Sequence, residues 1–230
     1  MRSLIAVAFM LAAAAASAQT APPQPDVIVT TGEAVVRRAP DRAFITVIVE
    51  TRAKSPRDAQ RLNAEAMTAV QQRLDQVRVP KDSVRTLGYD IQQEFDFTGG
   101  KRLPREFVAR NTIEVKVDEI GRVGELLDVV VQGGATATSG VRFDLRDRES
   151  VERDALRLAV VDARTRAEAA AAGAGRAVDR VIKVEDVRDG AVSMPRPMLA
   201  MARAADAPTT PVEPGLVEVR ARVMLTAAMK

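Results

Sequence analysis

The sequence predicts an α+β domain: short apolar runs of period two alternate with two long segments of helical periodicity, and glycines and prolines punctuate the boundaries. The strongest strand signal is residues 216–226, where Val217, Val219, Ala221, Val223 and Leu225 fall on one side in strict alternation. The strongest helix signal runs from Asp147 to about Ala172. There Val151, Ala155, Leu158, Ala159, Ala163, Ala167 and Ala170 form a predicted inner face made mostly of alanine, the best helix former. Apolar residues make up 47% of the chain and aromatics 3%, so small side chains must do most of the packing.

Taken in order, Arg2, the apolar run 4–16 and the small residues Ala16-Ser17-Ala18 read as a secretory leader cleaved after Ala18. The run falls short of the ~20 residues that span a hydrocarbon core, so no stable membrane span is expected. Residues 19–26 form a Pro-rich spacer. The domain begins at 27, with a first strand carrying Val27, Val29, Thr31 and residues 34–36. Ala39-Pro40-Asp41 makes a turn into the β-branched second strand at 43–50. Ser55, Pro56 and Asp58 open a helix by capping, by a proline at the first position and by dipole complementarity. Its expected inner face is Ala59, Leu62, Ala66, Val70, Leu74 and Val77.

Residues 84–97 and 106–117 then read as the arms of a long antiparallel hairpin turning at Thr98-Gly99-Gly100-Lys101. A short extra helix follows, capped by Asp118, carrying Ile120, Val123, Leu127 and Val130, and closed by Gly133-Gly134. Residues 138–145 make a fifth strand, Gly173 and Gly175 stop the Ala-rich helix, and 178–187 and 216–226 complete the set. Between these last two strands, residues 188–214 hold five prolines and little periodicity, which predicts a flexible or functional loop. Strand, long helix, strand, strand occurs over 43–117 and again over 138–226, so the single domain 27–230 is expected to contain two similar halves.

The composition narrows the chemistry. Lys and Arg number 34 against 31 Asp and Glu, which offers no basic field for nucleic acid, and few aromatics are present for bases to stack on. There is no cysteine, hence no disulfide, thiolate site or lipidated N-terminal cysteine. There is no histidine, so a general base near neutrality would have to be a carboxylate, Lys or Tyr. No cofactor motif is present.

Several residues are candidates for chemistry. Met194, Met198 and Met201 lie in the long loop, where thioethers suit Cu(I) or reversible oxidation, or else anchor the loop on an apolar surface. Asp144, Asp147 and Glu149, and again Glu185, Asp186 and Asp189, resemble carboxylate sites. The interleaved Arg142, Arg146, Arg148 and Arg188 fit a solvated, salt-bridged surface better. Ser83 near Lys81 and Ser139 before Gly140 are the serines to weigh as nucleophiles, and neither lies in a Gly-x-Ser-x-Gly elbow. Phe95, Phe97 and Phe107 mark the hairpin as a candidate binding or self-association surface, where exposed strand edges invite pairing.

Five motifs in fixed order carry a family resemblance: Val29-Thr30-Thr31-Gly32-Glu33-Ala34, Pro40-Asp41-Arg42-Ala43, Asn63-Ala64-Glu65-Ala66-Met67-Thr68-Ala69-Val70, Ala109-Arg110-Asn111-Thr112-Ile113-Glu114-Val115 leading into Asp118, and Ala159-Val160-Val161-Asp162-Ala163-Arg164. On these the chain resembles the SIMPL-domain family, which includes periplasmic immunogenic proteins of proteobacteria. The resemblance implies an α+β fold, a periplasmic or outer-membrane-associated location, self-association and a link to stress tolerance, with no catalytic residues. The expected protein is an exported, non-enzymatic homo-oligomer with a scaffolding or stress-protective role. The alternative is a periplasmic small-ligand or Cu(I)-binding protein using the Met-rich loop.

Overall fold

The computed structural model describes residues 26–187 and 210–230. The leader, all of the spacer but Asp26, and Met194, Met198 and Met201 lie outside the described residues. The strands are β1 (Val27–Arg38), β2 (Arg42–Ala53), β3 (Val84–Thr98), β4 (Lys101–Val117), β5 (Ala137–Asp144), β6 (Val178–Asp186) and β7 (Val217–Met229). The helices are α1 (Pro56–Gln76), α2 (Val123–Gln132) and α3 (Arg148–Gly173).

Two antiparallel sheets form, a four-stranded one in the order β3-β4-β2-β5 and a three-stranded one in the order β1-β7-β6. Helices α1 and α2 cover one face of the first, over a core of Ile45, Val47, Val49, Met67, Leu74, Ile113 and Val130. Helix α3 covers one face of the second over Val223, Leu225 and Ala227.

The expected two-fold repetition is present with one exchange. The α1 unit β2-α1-β3-β4 arranges its strands β3-β4-β2, and the α3 unit arranges its strands β6-β7-β1, so the place of β2 is taken by β1. Strand β5, which precedes α3 in sequence, instead extends the other sheet by pairing with β2. Local periodicity marks a strand but carries no information about its partner, and β1 and β7 come from opposite ends of the described chain.

Both long helices start as predicted. The Ser55 Oγ accepts from the Asp58 N–H at 3.1 Å, and Asp147 Oδ1 accepts from the Ser150 N–H at 3.0 Å. Their inner faces are rotated from the predicted ones. Helix α1 buries Ala59, Asn63, Met67, Val70 and Leu74, while Leu62 is exposed. A criterion that counts only apolar residues skips Asn63, which is buried with its amide NH2 donating to two carbonyls while its Oδ1 has no hydrogen-bond partner among the described residues. Helix α3 buries an unbroken four-residue repeat, Ala155, Ala159, Ala163, Ala167 and Ala171, and turns Leu158 and Ala170 outward. Asp118 does not cap α2, which has no side-chain cap; it bonds Arg42 instead, at 2.8 Å.

The alanine stripe lets α3 approach β1 to backbone contact. A Cβ built on Gly32 would lie 2.1 Å from the Ala159 carbonyl oxygen and 2.3 Å from the Ala163 nitrogen. Beside it, the Thr30 hydroxyl donates to the Ala163 carbonyl at 2.8 Å, and the Glu33 N–H donates to Asp162 Oδ2 at 2.9 Å. The second contact satisfies a donor on the outer edge of β1.

The β3–β4 hairpin turns at Gly99 and Gly100, whose φ of 59° and 76° fit a two-residue turn with both central residues left-handed. Strand β2 ends at the Ala53–Phe107 pair, so the rest of the hairpin projects as a two-stranded arm. Where the chain re-enters the described region, Thr210 Oγ1 donates to Asp128 Oδ1 on α2 at 2.6 Å and Val212 packs into the α1–α2 core. Gly124 makes room for this return, since a Cβ there would lie 2.3 Å from the Thr210 carbonyl oxygen.

Candidate functional site

Strand β2 is central in its sheet and apolar on both faces, so Phe44, Thr46 and Ile48 line the face opposite α1. Register sets Glu114 beside Thr46 and Arg142 beside Phe44. Glu114 is buried, with Arg85 Nε at 2.9 Å and Arg142 Nη2 at 3.6 Å. The Arg142 guanidinium also stacks 4.0 Å from the centre of the Phe44 ring and pairs with Asp144 at 2.9 Å. These residues, with Ser139, Gly140 and Val141, line an open cavity of about 210 Å³. That is smaller than the ~300–1,000 Å³ of a drug-sized ligand site. Ser139 thus lines this cavity, but the Glu114 carboxylate that lines it too is engaged by two guanidiniums rather than poised to take a proton.

Two further polar networks flank it. Glu50 accepts from Arg110 Nη2 and pairs with Arg52 Nη2, each at 2.6 Å, and Arg52 reaches Glu94 at 3.3 Å. At the junction of the two sheets, Arg146 donates its N–H to Asp41 Oδ1 at 2.7 Å and its guanidinium lies 3.6 Å from Asp118, which Arg42 also holds. The hydrogen bond from Arg110 holds the Glu50 carboxyl below its usual range, the bond from Arg42 does the same for Asp118, the Glu33 N–H for Asp162 and Arg220 for Glu218. All four shifts run away from neutrality, the range in which a general acid or base works.

These shifts carry a sign for stability. A carboxyl with a depressed folded pKa stabilises the fold above its unfolded value, near 4, and that contribution is lost as pH falls through the folded value. Urea unfolding is therefore expected to show lower stability at pH 3 than at pH 6, with 1 M salt narrowing the gap because these pairs are exposed. Equal midpoints at the two pH values would contradict the assignment.

The other predicted residues are dispersed. Ser83 is buried in a 3₁₀ turn and donates its backbone N–H to Pro80. Asp144 is paired with Arg142 and Arg148, Asp147 is spent on capping α3, and Glu185 pairs with Lys183 at 2.8 Å. Among the described residues no three acidic side chains gather as a metal site; Asp189 lies outside them. The aromatics are strung along the arm, with Phe107 opposite Ala53, Phe95 under the Arg102 guanidinium at 3.5 Å, and Phe97 at the tip, 77% exposed.

The motif residues, by contrast, meet. Thr30, Gly32 and Glu33 bind Ala159, Asp162 and Ala163, fastening α3 to β1. The Asn63 amide donates to the carbonyls of Val49 at 2.9 Å and Ala109 at 3.0 Å, fastening α1 to β2 and β4. Asp41, Arg42 and Asp118 tie the junction. These motif residues are the clamps of the fold. In line with this, residues 28–227 match the family model described as SIMPL, protein of unknown function (DUF541). The chain belongs to the SIMPL family. Among its relatives, this SIMPL chain is 28% identical over 190 residues to the 26 kDa periplasmic immunogenic protein of Brucella abortus (strain S19), covering 78% of this chain and 76% of the relative. It is 26% identical over 199 residues to the protein YggE of Escherichia coli (strain K12), covering 86% and 80%. In the sequence Asn63 and Gly32 stand out only as parts of motifs; the signal for Asn63 is a polar residue at helical spacing with its apolar neighbours Ala59, Met67 and Val70.

Proposed function

We propose that this SIMPL chain is an exported, non-catalytic protein of the periplasm or envelope that assembles with copies of itself, in a scaffolding or stress-protective role. The observation that carries this reading is the face of the three-stranded sheet opposite α3, which no described element covers. Opposite α3, β1 and β7 present Val27, Val29 and Met224 to solvent, with β-branched Thr31 and Thr226 between them by register. Contiguous exposed apolar area bordered by charge, here at one end by the paired Glu33 and Arg222, is characteristic of association surfaces. The leader-like N-terminus and the periplasmic name of the Brucella relatives support the location. The downward-shifted carboxylates and guanidinium-filled face favour binding over catalysis. Light scattering on the chain beginning at Gln19 is expected to return a mass several times that of the monomer, and a monomer at high concentration overturns the reading. The copper-binding alternative rests on methionines outside the described residues, and no observation favours it.

A further inference from the structure

We propose that the tip of the β3–β4 arm docks on an anionic lipid surface, with Phe97 and Leu103 entering the headgroup layer and Lys101 and Arg102 meeting lipid phosphates. This inference rests on the envelope location proposed above and goes beyond assembly, since each chain carries its own tip.

Beyond the Ala53–Phe107 pair the two strands of the arm have only each other for partners among the described residues. Register sets Phe97 opposite Arg102, Thr98 opposite Lys101 and Asp96 opposite Leu103. Opposed residues share a face and successive residues alternate, so Phe97 and Arg102 lie on one face and Leu103 and Lys101 on the other. Each face of the tip therefore carries one apolar side chain and one cation. Phe97, 77% exposed, is the most exposed large apolar side chain among the described residues, and Leu103 is 49% exposed. Neither Lys101 nor Arg102 has a carboxylate partner among the described residues; Arg102 lies over the Phe95 ring instead. The exposed apolar residues Leu158 and Val161 of α3 differ in this respect, because the cations around them, Arg157, Arg164 and Arg166, are all paired with carboxylates.

Charge is also graded along the arm. Residues 97–105 hold three cations, Lys101, Arg102 and Arg105, and no acid. Arg105 is paired with Asp96 at 3.4 Å, and Glu94 and Glu106 stand nearer the base. At ~3.3 Å per residue, Lys101 and Arg102 lie within about 7 Å of the apex, and Glu94 and Glu106 roughly 16–20 Å from it. The screening length at physiological salt is about 8 Å, so a charged plane touched by the apex attracts the two free cations and scarcely senses the two distant acids. Anionic headgroups form such a plane. Unpaired backbone cannot enter hydrocarbon, which confines the turn to the headgroup layer. That layer admits about 5–10 Å of arm, enough to include the Phe97–Arg102 pair. A protein partner fits the tip less well. A stable protein interface buries about 800 Å² on each side, more than residues 97–103, two of them glycine, can supply.

Sedimentation with vesicles tests this. The chain from Gln19 would be mixed with vesicles of phosphatidylglycerol and phosphatidylcholine in equal parts and with vesicles of phosphatidylcholine alone, with circular dichroism to confirm that each variant keeps its fold. The wild type is expected to bind the anionic vesicles at least about tenfold more tightly than the neutral ones. Phe97→Ser is expected to weaken anionic binding about tenfold, and K101Q/R102Q about twentyfold, at roughly fivefold for each cation. The control R73Q/K81Q removes the same charge from exposed positions away from the arm and is expected to bind like the wild type. Equal binding to both kinds of vesicle, binding to neither, a K101Q/R102Q variant no weaker than R73Q/K81Q, or an unchanged Phe97→Ser variant each overturns the proposal. Light scattering on the same samples reads assembly separately. Tip variants of lower assembled mass, with a wild type that ignores vesicles, would make the tip a contact between copies and overturn lipid docking. Export is not read by any of these measurements, so failure here leaves the envelope location standing.

Discussion

Replacing Gly32 with alanine is expected to destabilise the chain by about 3 kcal/mol, the upper end of what overpacking costs, even though it adds a single methyl group. The methyl would lie 2.1 Å from a backbone oxygen and 2.3 Å from a backbone nitrogen of α3, and neither can yield by a rotamer change. Relief requires α3 to lift from β1, which breaks the Thr30 and Asp162 hydrogen bonds and separates Ala159, Ala163 and Ala167 from the sheet. Little offsets that loss, because an alanine buries little area at about 25 cal/mol per Å². For a chain of this size the change corresponds to a fall in Tm of roughly 10 °C. Gly88→Ala is the control, since a Cβ there meets nothing within 4 Å. Ala163→Glu approaches the same contact from the helix side and is expected to be at least as damaging. A Gly32→Ala variant that melts within a degree or two of the wild type would refute the backbone contact.

Asn63→Asp is expected to cost on the order of 4 kcal/mol at neutral pH, as a buried charge without a partner does. The wild-type amide donates to two main-chain carbonyls from a position with no solvent exposure. A carboxylate in its place offers only acceptors to acceptors. Burial raises the folded pKa of the new acid above its unfolded value near 3.9, so the deficit is smallest below that pH, where the neutral acid can donate to one carbonyl. It grows as pH rises through the folded pKa. Asn63→Leu removes the cross-link without burying a charge and is expected to lose less, about 1–3 kcal/mol. Chemical denaturation at several pH values separates the cases; a deficit for Asn63→Asp that shrinks on going from pH 4 to pH 8 would sink the argument.

The two residues differ in how far they could be read in advance. Both occur in the motifs that carry the SIMPL resemblance, yet neither is an apolar position in a periodic pattern, and periodicity was the tool that located the elements. That tool succeeded where the physics is local. Ser55 and Asp147 cap helices because capping involves neighbours three residues away, and Gly99-Gly100 turns the hairpin because glycine tolerates positive φ. It also found β7, whose alternation reflects one buried face. It misplaced the inner face of α1 by treating Leu62 as buried and passing over Asn63, whose burial depends on carbonyls of two strands. The cavity at Phe44 and Glu114 was hidden for a related reason: a strand apolar on both faces announces that it is central, not what its neighbours carry.

Composition and local pattern were enough to establish an α+β chain without histidine or cysteine, and to place its strands and long helices, though not the start of β4 or of α2. Pairing was decided at long range: β1 rather than β5 completes the α3 unit, Gly32 lies under a helix backbone, and β6 falls at the end of its sheet. Helix caps and side-chain alternation are settled within a few residues of chain, whereas strand partnership and close helix approach are settled by burying two distant segments together, and neither segment records the identity of the other.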